Sequence, residues 1–111
     1  MTIQYKSETF DLTTTNITTV LTCPADATIL VKSLQASHQT ASNVDVDAYL
    51  QKSGGSNVEI SHAQLNKNFT NMVSDTLNME ASDVLKIQAD TADAITGVVS
   101  YALLDRSQEN G

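Results

Sequence analysis

The sequence predicts an all-β protein, and three observations support that fold class. Several segments alternate apolar and polar residues with the period of two that is typical of strands. Thr, Val and Ile, which favour strands, and Asn, Asp and Ser, which favour turns, are frequent. No long window has the 3.6-residue period of an amphipathic helix. The spacing of the turn signals then predicts a single β-sandwich, jelly-roll-like or immunoglobulin-like, of about eight antiparallel strands over residues 1–111.

Eight strands can be placed in order along the chain, with turn residues between them. Seven have bounds that the residue pattern indicates, namely 3–12, 18–23, 27–37, 43–50, 72–79, 83–90 and 97–105. The remaining strand, fifth in order, follows the turn KSGGSN, whose short Gly- and Ser-rich sequence is typical of a hairpin tip. Residues 61–68 are ambiguous, because SHAQLNKN fits either a helical turn or a loop between strands.

The strand at 43–50 has the clearest alternation. Its apolar positions are Val44, Val46, Ala48 and Leu50, and the positions between them are Asp45, Asp47 and Tyr49. Since neighbouring side chains of a strand point to opposite faces, one face is predicted to be buried and the other to carry its acids into solvent. The strand at 83–90 repeats this pattern.

The strand at 97–105, GVVSYALLD, is apolar on both faces. This predicts either a central strand of a sheet or a strand that contacts another subunit. The residues that we expect in such a subunit contact are Val98, Val99, Tyr101, Leu103 and Leu104. The polar residues 106–111 that follow are predicted to be a flexible tail unless a partner orders them.

Charge and composition argue against several kinds of partner. The formal net charge is −7, and the six Lys and Arg residues are scattered, whereas phosphate binding needs clustered basic residues. We therefore expect no nucleic-acid partner. No apolar run approaches the length of a membrane span, so no membrane partner is expected either. The single cysteine, Cys23, predicts no internal disulfide.

The chemically active residue types form no pattern that predicts catalysis or a cofactor. Asp45 and Asp47 share a strand face and could contribute to a Ca²⁺ site, but a solvated acidic face explains them more simply, because Ca²⁺ takes six to eight oxygen ligands. His38, His62 and Cys23 lack the short spacings of a zinc site. We therefore expect no enzyme activity, no resident metal and no cofactor.

Two longer stretches resemble a known family. TTVLTCPADATILVKSLQAS, residues 18–37, and NMEASDVLKIQAD, residues 78–90, are similar in kind and order to segments of small virion structural proteins of tailed bacteriophages, including phages of marine bacteria and cyanobacteria. The resemblance covers residues 17–104. Family members usually carry Gly in the two turns, where this chain has Asp26 and Ser82. The departures put the turn geometry in question rather than the strand order.

The resemblance implies a virion structural protein, most simply a capsid decoration or cement protein that binds the major capsid protein. It also implies a homo-oligomer, with a trimer favoured, made in the host bacterial cytoplasm and located in the virion. One alternative is a neck, tail or baseplate component that anchors a fibre. Another is a host-surface carbohydrate-binding module, for which Tyr49, on a polar strand face, would be the exposed aromatic.

Overall fold

A computed structural model describes residues 2–38, 43–65, 70–74 and 76–105. Within these ranges the chain forms nine β-strands. They are β1 (Thr2–Leu12), β2 (Thr18–Thr22), β3 (Ala27–His38), β4 (Val44–Gln51), β5 (Asn57–Leu65), β6 (Thr70–Ser74), β7 (Leu77–Met79), β8 (Val84–Ala89) and β9 (Ile95–Asp105). The predicted all-β fold class is confirmed.

The strands form two antiparallel sheets that pack face to face. The first sheet has the order β1-β9-β3-β6, with β7 also paired to β3, and the second has the order β2-β8-β4-β5. The chain passes from one sheet to the other at most of its connections, and only β4 and β5 pair as direct neighbours in sequence. This order is that of an eight-stranded jelly roll whose sixth strand is divided in two. It decides between the jelly-roll-like and immunoglobulin-like alternatives.

The core lies between the inner faces of the two sheets. From β4 it receives Val44, Val46 and Ala48, and from β8 it receives Leu85, Ile87 and Ala89, all of which are buried. The alternation predicts these apolar positions, and it also predicts Leu50, which is half-buried and packs against the core. Burial of each Val, Leu or Ile side chain contributes about 1.5–3 kcal/mol, so this alternation is a main source of stability.

The central strand of the first sheet is β9, which pairs with β1 along one side and with β3 along the other. Gly97 of β9 lies between Phe10 and Ala36. A Cβ atom at Gly97 would come within 2.3 Å of the Phe10 ring and 2.2 Å of the Gln35 carbonyl oxygen. Glycine therefore lets the Phe10 ring lie close against the sheet.

Most of the predicted strand bounds differ from the observed ones by only one or two residues, but three segments differ further or fall partly outside the described residues. Residues 72–79 were expected to be one strand, but this part of the chain contributes to two strands, β6 and β7, which pair with different parts of β3. In the ambiguous segment, residues 61–65 belong to β5, and 66–68 lie outside the described residues. The predicted tail at 106–111 also lies outside them.

The two turns that carry the family resemblance lie against each other. The Cys23 N–H donates to the Asp83 carbonyl oxygen at 2.9 Å, and the Ser82 N–H donates to the Cys23 carbonyl oxygen at 3.0 Å. The Cys23 side chain is buried, and its Sγ lies 3.3 Å from the Ala27 carbonyl oxygen. Cys23 thus joins the start of β3 to the turn before β8, which is a structural role.

The Glu80–Asp83 turn uses Ser82 where the family pattern has glycine. Ser82 has a φ of 67°, in the left-handed region, and the turn closes through the Asp83 N–H and the Glu80 carbonyl oxygen at 3.0 Å. Of the described non-glycine residues, only Ser82 and Asp93 have a positive φ. Asp26 is the second position where this chain lacks the glycine of the family pattern. Its φ is not positive, so the turn between β2 and β3 does not require glycine there.

Asp83 holds the same turn to the β4–β5 hairpin. Its side chain is 1% exposed and accepts hydrogen bonds from Lys52 Nζ at 2.6 Å, the Glu80 N–H at 2.9 Å and the Ser53 N–H at 3.2 Å. Burial alone would raise the pKa of Asp83, but these hydrogen bonds and the Lys52 charge together outweigh it and lower the pKa.

The Ser82→Gly variant is predicted to be more stable by about 1 kcal/mol, because a left-handed conformation strains any residue with a Cβ atom. The Ser82 side chain is exposed, so little contact is lost. Ala81→Gly, at an ordinary φ one residue earlier, is the matched control and should destabilise the chain by about 0.5–1 kcal/mol. Urea unfolding measures both. Equal destabilisation by the two variants would contradict the turn geometry.

The Asp83→Asn variant is predicted to lose about 1–3 kcal/mol of stability at pH 7, because it weakens hydrogen bonds to a buried charge. The folded pKa of Asp83 lies below its ordinary value of 3.8. Its carboxylate therefore stabilises the fold above that value, and the stabilisation is lost as the pH falls through the folded pKa. The difference between wild type and variant, measured by chemical unfolding, should shrink below about pH 4. Asp26→Asn, at an exposed turn position, is the control. A difference that stays constant from pH 7 to pH 3 would contradict this interpretation of Asp83.

Candidate functional site

The five residues predicted to form a subunit contact divide between the two faces of β9. Val99 and Tyr101 lie in the core, and Leu103 is half-buried and packs against it. Val98 and Leu104 are half-buried and lie on the opposite, outer face of the sheet. The subunit contact stays a prediction. Of the five residues, Val98 and Leu104 are the two that lie on the outer face, where another subunit could contact them.

The outer face of β1, β9 and β3 presents exposed apolar side chains that the sequence prediction did not include. Ile3 is 53% exposed and pairs with Leu104, and Tyr5 is 75% exposed and pairs with Ala102. Lys32 Nζ lies 5.1 Å from the centre of the Tyr5 ring, within the range of a cation–π contact. Tyr5 and Lys32 both line a shallow concavity of about 620 Å³ on this sheet.

This outer face carries little charge. The registers of β1 and β3 against β9 place fifteen residues on it: Ile3, Tyr5, Ser7, Thr9, Asp11, Thr28, Leu30, Ser33, Gln35, Ser37, Thr96, Val98, Ser100, Ala102 and Leu104. The contact with the Tyr5 ring adds Lys32. Of these, Asp11 and Lys32 are charged. Depletion of charge together with exposed aromatic and aliphatic side chains is typical of the central part of a protein–protein interface.

The outer face of the second sheet is acidic by contrast. Asp45 and Asp47 lie on it as predicted, since they alternate with the buried positions of β4. They do not act as a pair, because Asp45 contacts Asp90 through its backbone while Asp47 contacts His62 across the β4–β5 ladder. Tyr49 is half-buried on the same face, and its Oη donates to Gln88 Oε1 at 3.2 Å. A carbohydrate platform at Tyr49 stays a prediction.

Asp47, Glu59 and His62 form a cluster on this acidic face. His62 Nδ1 contacts Asp47 Oδ1 directly and lies 3.9 Å from Glu59 Oε1. The Asp47 contact raises the pKa of His62, since an adjacent carboxylate favours the imidazolium. The pKa of Glu59 is raised by its side-chain contact with Asp47, then by burial and by the Asp47 charge. This cluster was not predicted from the sequence.

A β-bulge explains how Glu59 and His62 reach the same face. Residues three apart on a regular strand point to opposite faces. The register shifts between Ala48 and Tyr49, which pair with Ser61 and Glu59, so Ile60 is the extra residue. One inserted residue restores Glu59 to the face of His62. The order of apolar and polar residues in β5 does not predict this bulge.

The other two residues that the sequence analysis considered as zinc ligands, His38 and Cys23, are buried in the fold. His38 is buried at the end of β3, and Cys23 is buried at the turn described above. In the described ranges, Asp47, Glu59 and His62 are the one group of His, Cys, Asp or Glu residues close enough to share a metal ion. Those ranges also contain no helix that is long and apolar enough to cross a membrane.

Comparison by sequence finds no relative: no family model matches the chain, and no curated protein matches it significantly. Comparison by fold finds solved structures that are similar to this chain. A chain from the acidic stable capsid of Helicobacter pylori bacteriophage KHP30 superposes with a TM-score of 0.60 and 10% identity, and the match covers 96% of this chain and 90% of that one. The two chains are therefore of similar length.

Two further structures are similar in fold. A subunit of Bacillus endospore appendages, described as a novel family of disulfide-linked pili, has a TM-score of 0.52 and 13% identity, with 95% of this chain and 88% of that one covered. A chain of a viral particle of infectious bursal disease virus has a TM-score of 0.54 and 11% identity, with 94% and 31% covered. This chain spans about a third of that larger protein. At these identities the similarity shows a shared jelly-roll fold.

Proposed function

We propose that this protein is a non-enzymatic structural protein of a bacteriophage virion, which decorates or cements the assembled head by binding the major capsid protein. The observation that carries the proposal is the charge-poor outer face of β1, β9 and β3, with Ile3 and Tyr5 exposed at its edge strand. A monomer gains nothing from exposing these side chains, whereas an interface buries them. In this proposal the acidic face of the second sheet points away from the shell.

The similar structures support an assembled role. Two of the similar structures, a phage capsid chain and a pilus subunit, match this chain in length and come from protein assemblies. The pilus is described as disulfide-linked, whereas the single cysteine of this chain is buried in the core and 1% exposed. A covalent pilus subunit therefore fits this chain less well than a non-covalent capsid component does.

In this proposal, symmetric association uses the part of the same face on β9, while Ile3 and Tyr5 of the edge strand β1 contact the shell. Decoration proteins that occupy symmetry axes are closed oligomers, and a trimer is the form that we favour here. Val98 and Leu104 belong to β9, the middle strand of the three, so a contact between copies of the chain at this strand would bury both side chains. The protein would be made in the cytoplasm of the host bacterium and end in the virion.

The experiment is a binding assay between the purified chain and phage heads assembled without it. Ile3→Glu and Tyr5→Glu each place a charge in the proposed contact, and each is predicted to weaken binding at least about 30-fold, the loss expected at a binding hot spot. Both side chains are exposed, so the fold should persist and can be checked by circular dichroism.

Val58→Glu is the matched control for that assay. Val58 is 57% exposed, is apolar like Ile3, and lies on β5 of the opposite sheet. It should bind heads as the wild type does. Equal losses in all three variants would contradict the assigned face, and no binding of the wild-type chain would contradict a role on the head.

A further inference from the structure

We propose that Asp47, Glu59 and His62 form a binding site for a divalent transition-metal ion of the zinc type on the outer face of the β4–β5 hairpin. This inference does not depend on the proposed virion role. It rests on the positions of three side chains, on the chemistry of their donor atoms and on the negative charge of the two carboxylates.

The backbone fixes the three residues relative to one another. Asp47 and His62 are directly opposite in the antiparallel ladder, so their side chains leave the sheet side by side. The bulge at Ile60 brings Glu59 to the same face two pairs further along, opposite Tyr49. All three residues lie on paired strands, and the β4–β5 ladder fixes their relative positions. A bulge that re-aims a side chain is frequent beside functional sites.

The donor atoms are close enough to surround one ion. One ligand atom from each residue lies within 4.8 Å of the other two, and His62 Nδ1 is 3.9 Å from Glu59 Oε1. Zn²⁺ forms bonds of about 2.0–2.2 Å to nitrogen and oxygen, so side-chain rotations that set the three ligand atoms around one ion would complete the site. All three side chains are at least partly open to solvent, so an ion has a path of entry.

The donor set indicates which ion fits. An imidazole nitrogen with two carboxylates suits Zn²⁺ and its neighbours among the divalent metals, while Ca²⁺ and Mg²⁺ prefer sites made wholly of oxygen. Three protein ligands leave a further coordination position for water or for a donor from a neighbouring molecule.

The charge of the site also favours a cation. Asp47 and Glu59 place two carboxylates beside the one imidazole of His62, and Tyr49 lies on the same face of the sheet. Asp45 adds a further negative charge along the strand. A divalent ion bound to a neutral His62 imidazole would balance the negative charges of the Asp47 and Glu59 carboxylates.

The test is calorimetric titration of the full untagged chain with Zn²⁺ alone. We expect one saturable site per chain, and Asp47→Asn and His62→Gln should each weaken it at least about tenfold. Asp45→Asn is the matched control: it removes the same charge from the same strand face but no ligand, and should change the affinity only about twofold. Because the three positions are not in the core, the variants are expected to fold.

Two measurements distinguish a site built by these three residues from adventitious binding of Zn²⁺ elsewhere on the chain. In NMR spectra, Zn²⁺ should shift the imidazole signals of His62 and leave those around buried Cys23 unchanged. Titration with Mg²⁺ should give no comparable affinity. The proposal is overturned if Zn²⁺ shows no saturable binding, if Mg²⁺ binds equally well, if the shifts centre on Cys23, or if Asp45→Asn costs as much affinity as Asp47→Asn.

Discussion

The structure depends on the position of β9 between β1 and β3. Along eleven residues this strand forms hydrogen-bonded ladders on both sides, so it organises the first sheet and the core beneath it. Gly97 allows the Phe10 ring to close against that strand. Because the strand is central, its two apolar faces serve different purposes: Val99 and Tyr101 build the core, while Val98 and Leu104 reach the outer surface.

This arrangement gives the molecule two unlike sides. The outer face of the first sheet carries little charge and exposes Ile3 and Tyr5. The outer face of the second sheet, on the opposite side of the molecule, is acidic and carries Asp47, Glu59 and His62. A jelly roll can serve many functions, so the surfaces rather than the fold must support a functional conclusion. The difference between the two faces is the basis of the proposed attachment by one side.

The sequence predicts what local patterns determine. Alternation identified the buried faces of β4 and β8, because a core on one side of a strand imposes a period of two on its residues. The division between β6 and β7 was missed, since it depends on how both pair with β3. The Asp47–Glu59–His62 cluster was missed because it needs the β4–β5 register and a bulge at Ile60, and neither follows from composition. The outer position of Tyr5 likewise depends on its partner strand.

The central claim is that the chain is a component of the virion head, and counting it in particles tests that claim most directly. Quantitative mass spectrometry of purified particles from the source would measure the ratio of this chain to the major capsid protein. A head decoration role predicts a ratio near one or a simple fraction of one. A few copies per particle would instead indicate a neck or tail component, and absence from clean particles would contradict a virion role.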